Sequence, residues 1–528
     1  MPIRVLTASI AILTTLNAIN FATAAERPNI VLVMVDDMGF SDIGCYGSEI
    51  PTPNLDRLAA GGLRFTQFYN TGRCCPTRAA LLTGLYSHQA GVGHMTDDKG
   101  PNHPGYRGHL NQRCATIGRL LHEAGYFTAI TGKWHVGHRD RSMWPLQRGF
   151  DRFYGIPEGG GFYFRVKQDR TVRLGNEIFY SPEKQPPADW YSTDAWVDWG
   201  LKFIDDARQT DRPFFLYVAH NAPHFPLQAP PEDIARFRGK YAAGWDALRE
   251  ARYRRQVELG IVKSEWSLSP RPDGVKAWDA LSDEERDRFD HIMAIYAAVV
   301  SRMDQSIGTL MEGLQQRGVL DNTLVLFLSD NGGTAESGPN GRFAGANPGS
   351  ADSAVFCGQS WATLQNTPYR RYKRFNHEGG IATPLIAHWP RGIAARGGLR
   401  EQPGHVIDIV PTCLDVAGAE YPEQLDSHQL TPLVGTSLTP AFADKPLDRE
   451  ALYWEHEGNR ALRRGDWKLV ALKNGPWELY NLKDDRTELN NLAAQQPDRV
   501  AQLSDQWRVW AEQSHVLDKG PKKRKLSN

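Results

Sequence analysis

Two adjacent thiols open the most chemically informative stretch of this chain, Arg73-Cys74-Cys75-Pro76-Thr77-Arg78, which continues as Ala79-Ala80-Leu81-Leu82-Thr83-Gly84. Proline is well placed in the first turn of a helix, where its missing N–H goes unused, so Cys74 is expected just before a helix. A group there faces free backbone N–H groups and the positive end of the helix dipole, which suits an anion. Arg78 follows one turn later and can lie beside Cys74. Two readings stand on the residues alone. One is a pair of small buried or disulfide-forming side chains; the other is a thiolate nucleophile activated by the helix and the arginine.

Oxygen donors come in two pairs, Asp36-Asp37 and Asp330-Asn331. Three carboxylates with an amide carbonyl suit a hard cation, calcium or magnesium, although an Asp pair after a strand can equally cap a helix. Nitrogen groups cluster in Gly132-Lys133-Trp134-His135, in His220-Asn221-Ala222-Pro223-His224, and around Lys373, where Arg370, Arg371 and Arg374 are rival cations. His94, Asp97 and His377 are further substrate-side residues, and His220 is as readily structural as functional.

These groups need elements to position them. Four apolar runs, 30–35, 126–130, 214–219 and 323–328, each lead into one of the polar clusters. Unbroken apolar runs read as strands buried on both faces, as in parallel sheets covered by helices. Helical patterns at 55–61, 115–124, 194–208 and 294–317 separate them, which argues for an α/β fold. In such folds sites lie beyond the carboxyl ends of the strands. Residues 229–282 form a charged, helix-rich insertion that either overhangs the pocket or decorates the surface, and Ser282 to Glu285 reads as a capping box opening a long helix. After a Pro-rich loop at 422–448, short strands at 451–455, 461–464, 467–472 and 477–482 precede a helix at 497–513. The expected domains are 26–437, then a small C-terminal α+β subdomain (antiparallel sheet plus helix) at 438–515, then a disordered basic tail at 516–528.

Cys74-x-Pro76-Thr77-Arg78 followed by Leu81-Leu82-Thr83-Gly84 resembles the signature of the formylglycine-dependent type I sulfatases, arylsulfatase-like members of the alkaline phosphatase superfamily. The likeness spans nearly the whole chain. Pro28-Asn29-Ile30 through Asp36-Asp37-Met38-Gly39, Gly132-Lys133-Trp134-His135, Ala222-Pro223-His224, Asp330-Asn331-Gly332 and Lys373 ahead of Glu378-Gly379-Gly380 fit its successive motifs; Arg73 is a mild departure. The resemblance implies an alkaline phosphatase-like large mixed sheet sandwiched by helices. It implies conversion of Cys74 to formylglycine by a formylglycine-generating enzyme, and one calcium ion held by Asp36, Asp37, Cys74, Asp330 and Asn331. It implies that Arg78 and His135 hold the formylglycine, that Lys133, His224 and Lys373 contact the sulfate, and that His224 or Lys373 protonates the departing oxygen. The activity implied is hydrolysis of aryl or carbohydrate sulfate esters, on a sulfated small molecule or glycan. A phosphonate or phosphodiester hydrolase of the same superfamily, or a catalytically dead sulfated-glycan-binding protein, are the alternatives.

Composition narrows the partners. The 528 residues carry 61 Lys+Arg and 61 Asp+Glu, so there is no basic surplus of the kind nucleic-acid binding needs. Residues 1–25, with Arg4, an apolar run at 5–16 and the Ala22-Thr23-Ala24-Ala25 end, read as a signal peptide. An exported chain, periplasmic or secreted, is expected, with no membrane insertion after cleavage. Six cysteines are too few for a disulfide scaffold, leaving room for one or two bridges whose pairing sequence does not fix.

Overall fold

The computed structural model describes residues 27–516, so the signal segment and the tail beyond Val516 lie outside the described residues. The runs that lead into the polar clusters are strands β1 (Asn29–Val35), β3 (Phe127–Lys133), β7 (Phe214–Ala219) and β8 (Thr323–Ser329). With β2 (Leu63–Tyr69), β4 (Arg152–Ile156), β5 (Val172–Leu174), β6 (Glu177–Tyr180) and three strands near residues 382–405 they form one eleven-stranded sheet. The four chemistry-bearing strands are contiguous at its centre, in the order β8-β1-β7-β3, and all parallel. That adjacency carries the four polar clusters to one edge. The sheet is mixed, because Ala382–His388 runs antiparallel to both β8 and β2. β7 and β8 are buried at every position and β1 at all but its first, as two covered faces require.

Helices cover the sheet, the longest being Asp283–Gln316, which opens on the Ser282–Glu285 capping box. The insertion proves to be a brace. Its helix Gly244–Glu258 points Arg252 inward, where Nη1 donates to Asp42 Oδ1 at 2.8 Å and Nη2 to Glu49 Oε1 at 2.8 Å. It thus clamps the loop that follows Asp37. Among the described residues no helix is long and apolar enough to cross a membrane. All six cysteines are free thiols.

The C-terminal subdomain is a four-stranded antiparallel sheet, Leu452–His456, Asn459–Arg464, Trp467–Ala471 and Glu478–Asn481, with the helix Pro497–Gln513 packed on it. It docks through buried charge. Glu378 is wholly buried and accepts from Lys468 Nζ at 2.8 Å, Arg486 Nε at 2.9 Å and Tyr69 OH at 3.0 Å. Burial pushes the Glu378 carboxyl up, but Lys468 and Arg486 outweigh it and bring it down to about 2. A depressed carboxyl stabilises the fold above its unfolded pKa and loses that contribution as pH falls through the folded value. Docking is therefore expected to weaken between about pH 4.5 and 2. Lys468→Met, which removes one partner of a buried pair, should destabilise by roughly 3–5 kcal/mol and flatten the acid limb of the melting temperature against pH. An unchanged acid limb would refute the role of this pair.

Candidate active site

The carboxyl ends of β1 and β8 build an oxygen cage. Asp36 and Asp37 follow β1, and Asp37 turns the chain with φ of 68°. Asp330 and Asn331 follow β8. The Asp37 N–H donates to Asp330 Oδ1 at 3.2 Å, and Asn331 Nδ2 donates to Asp37 Oδ1 at 2.8 Å. All four side chains are buried, yet Asp36 Oδ1, Asp37 Oδ2 and Asn331 Oδ1 accept no hydrogen bond. Leaving such acceptors unmatched costs about 1–3 kcal/mol each, more where charged. Unmatched oxygens drawn from adjacent strand ends fit a hard cation such as calcium.

Beside the cage lies the helix Cys74–Thr83. Cys74 is its first residue rather than the residue before it, and Arg73 takes the capping position. The thiol is buried, and a hydrogen bond from Cys75, opposed by burial and helped by Lys133 and His135, draws it well below the usual thiol range. Arg78, fully buried, donates from Nη2 to Asp330 Oδ2 at 3.0 Å and lies 3.6 Å from Asp36 Oδ2. Its Nη1 donates to the Lys133 carbonyl at 3.0 Å and to Tyr217 OH at 3.3 Å. The guanidinium is thus fixed between the helix and the cage. His135, at φ of 58°, sets Nε2 3.2 Å from Cys75 Sγ. Burial and the Lys133 charge push its imidazole down to about 4.

The remaining nitrogen-bearing side chains close the ring. The Lys133 ammonium pairs with Asp36. Lys373 Nζ lies 2.6 Å from Asp37 Oδ1 and 3.4 Å from Glu336. His224 donates from Nδ1 to the Phe225 carbonyl at 2.6 Å, which leaves Nε2 facing the site, 3.5 Å from Asp37 Oδ2. Its ring stacks on Phe225 at 4.3 Å, and Phe225 stacks on Phe356 at 4.4 Å, forming an apolar wall. The ten residues read from the sequence therefore converge on one site. A chain that offers an anion-binding helix start, an oxygen cage and three cations can bind a tetrahedral anion and a metal together.

Four further residues fall elsewhere. His377, expected on the substrate side, is buried with Nε2 3.3 Å from Glu478 of the C-terminal sheet. His94 and Asp97, both partly exposed, pair with each other at 3.4 Å. His220 is fully buried and neither ring nitrogen has a partner. Other residues also shape the site. Tyr217 holds Arg78, Glu336 links Arg73 to Lys373, and Gly159 makes room for His135, since a Cβ there would meet Nε2 at 1.9 Å. Tyr217 was visible as a polar-tipped residue inside an apolar run; Glu336 and Gly159 carry no local signal.

Comparison with known proteins gives a consistent set. Residues 28–419 match the family model described as Sulfatase, and residues 370–512 match that of N-sulphoglucosamine sulphohydrolase, C-terminal. An uncharacterized sulfatase of Schizosaccharomyces pombe is 34% identical over 95% of this chain and 96% of its own. An arylsulfatase of Klebsiella aerogenes is 35% identical over 81% of this chain and 95% of its own. Among solved structures, Ps i-CgsB in complex with k-i-k-neocarrahexaose superposes with a TM-score of 0.68 at 27% identity, covering 93% of this chain and 94% of that one.

Proposed function

Because this chain belongs to the sulfatase family and is a sulfuric ester hydrolase, we propose that it cleaves aryl or carbohydrate sulfates with a formylglycine made from Cys74 and one calcium ion. The observation that carries this reading is the buried Cys74 at a helix start, flanked by Arg78, Lys133 and His135, beside carboxylate and amide oxygens that lack partners. Asp36, Asp37, Asp330 and Asn331 would hold the calcium together with the side chain at position 74. Calcium would supply charge to polarise a sulfate oxygen and acidify a bound hydroxyl, and a hydrated aldehyde would supply one hydroxyl to attack sulfur and a second to let sulfate go.

The chain's own residues do the rest. Arg78, locked by its contacts to Asp330 and the Lys133 carbonyl, orients position 74. His135, neutral near physiological pH, can accept a proton from a hydroxyl at that position. Lys133 and Lys373 offer ammonium hydrogens to sulfate oxygens. His224, whose Nδ1 is committed to a carbonyl, presents Nε2 to the departing oxygen, and the Phe225–Phe356 wall gives an aryl or sugar ring a face to pack on. The names of relatives, including N-acetylgalactosamine-6-sulfatase and a complex with k-i-k-neocarrahexaose, support a carbohydrate sulfate as substrate class. Export, with maturation by a formylglycine-generating enzyme, belongs to the same proposal.

The test is mass spectrometry of the Cys74 peptide after co-expression with that maturing enzyme, with rates on nitrophenyl sulfate and on the phosphate mono- and diesters. Active protein with an unmodified Cys74 would overturn the mechanism, and a preference for phosphate esters would overturn the substrate class. A second prediction concerns His224. His224→Gln should lower kcat/KM on alkyl or sugar sulfates by about 10²–10⁴-fold, the usual contribution of a general acid. Nitrophenyl sulfate, whose departing oxygen hardly needs a proton, should lose far less. Equal losses on both would remove His224 from the acid role.

A further inference from the structure

Outside the site just described, a histidine cluster sits where the loop after the nucleophile helix meets the C-terminal subdomain. His94 belongs to that loop. His456 ends the first C-terminal strand, and Glu457 follows it in a tight turn with φ of 54°. One ligand atom from each of the three lies within 4.8 Å of the others. His94 Nε2 is 3.3 Å, and His456 Nε2 3.8 Å, from the same oxygen, Glu457 Oε1. The two imidazoles lie nearly parallel, 17° apart, with centroids separated by 5.4 Å.

The second observation is independent of proximity. His456 is completely buried, and neither of its ring nitrogens has a hydrogen-bond partner. A buried imidazole with unmatched nitrogens beside a second imidazole and a carboxylate is short of an electrophile. The surroundings resemble a metal ligand's support. Asp97 Oδ1 lies 3.4 Å from His94 Nδ1, so the carboxylate takes that nitrogen's proton bond and turns Nε2 toward Glu457 Oε1. Arg374 Nε holds the other oxygen of Glu457 at 2.8 Å, which directs Oε1 inward. His94 and Glu457 are partly exposed, at 30% and 22%, so an ion has an entry path and water can complete its shell.

We propose that His94, His456 and Glu457 bind a divalent transition-metal ion of the zinc type, distinct from the oxygen cage. Two imidazoles and one carboxylate are the donors that zinc prefers, whereas calcium takes oxygen. Side-chain rotation would draw the three donors to bonding distance of one ion. The ion would tie the loop after the nucleophile helix to the C-terminal subdomain.

The test is cobalt(II) titration of the matured, calcium-loaded full-length protein, followed by zinc displacement. One cobalt per chain is expected, with visible bands of a nitrogen–oxygen site and no sulfur-to-cobalt charge-transfer band, which excludes Cys74, Cys75 and His135 as the ligands. His456→Ala and Glu457→Gln should weaken binding roughly 100-fold or more, and Asp97→Asn about tenfold, while calcium stoichiometry holds. His94→Ala, on a partly exposed loop, supplies the same readout if His456→Ala does not fold. No cobalt uptake, or uptake equal in His94→Ala and wild type, overturns the proposal. So does a raised KM in His94→Ala without any cobalt binding, which would assign the cluster to sugar hydroxyls.

Discussion

Cys74→Ala is expected to lose turnover on the order of 10⁶-fold, the scale seen when a covalent nucleophile is removed and only binding and electrostatic groups remain. The fold should tolerate the change. Cys74 is a small side chain at a helix start, and its buried neighbours, Arg78 and Lys133, keep their contacts to Asp330 and Asp36. The measurement is kcat on nitrophenyl sulfate for matured wild type and variant, with thermal melting as the control for folding. A variant that melts like wild type yet turns over substrate comparably would remove position 74 from the chemistry.

Cys74→Ser separates attack from release. A serine Oγ at the same helix start can still displace the alcohol: an O–S bond forms, the S–O bond to the alcohol breaks, and the Oγ proton ends on the departing oxygen. The resulting serine sulfate has no second hydroxyl on Cβ to expel the sulfuryl group. One equivalent of alcohol per site, followed by arrest, is expected, with the intact mass raised by one sulfuryl group. Steady turnover would show that water, rather than a second hydroxyl, completes the cycle, and the need for the aldehyde would fall with it.

The parts of this site that sequence displayed are those fixed by local constraints. A strand buried on both faces must be apolar throughout, so its end is marked wherever polar residues begin; β1, β3, β7 and β8 announced Asp36, Lys133, His220 and Asp330 in that way. β2 hid because Arg64 and Gln67, both only partly buried, interrupt its run. Ala382–His388 hid because it follows the short helix Glu378–Ile381 with no turn between them. The choice of Lys373 over its arginine neighbours could not be read locally. Arg370 is taken by Glu478 and Arg374 by Glu457, both on the C-terminal subdomain, Arg371 lies over the Phe375 ring, and Lys373 is the one that reaches Asp37. The same long-range docking turned His377 away from the pocket and onto Glu478. Chain segments about a hundred residues away decide those orientations.

Asp37→Asn should damage rate and stability together, and calcium linkage makes its effect separable from a loss of fold. Asp37 contributes an oxygen without a hydrogen bond to the cage and is the counter-ion of buried Lys373. The amide keeps the shape but removes the charge, so the cation loses one carboxylate and Lys373 its nearer counter-ion. Wild type depleted with a chelator should melt several degrees lower than the calcium-loaded protein, because saturation at about 1,000 times Kd stabilises by about 4 kcal/mol. Asp37→Asn should show little or no such rise at the same calcium level, and its kcat/KM should fall by about 10²–10³-fold, as when one preorganised electrostatic partner of a transition state is lost. Very high calcium should recover part of the melting shift but not the rate, since the Lys373 ammonium then keeps only the more distant Glu336, at 3.4 Å. Were wild type to keep its melting temperature and its activity after exhaustive chelation, the unmatched oxygens of Asp36, Asp37 and Asn331 would need another partner. Lys133 and Lys373, already at the carboxylates, would then be the cations that neutralise the cage.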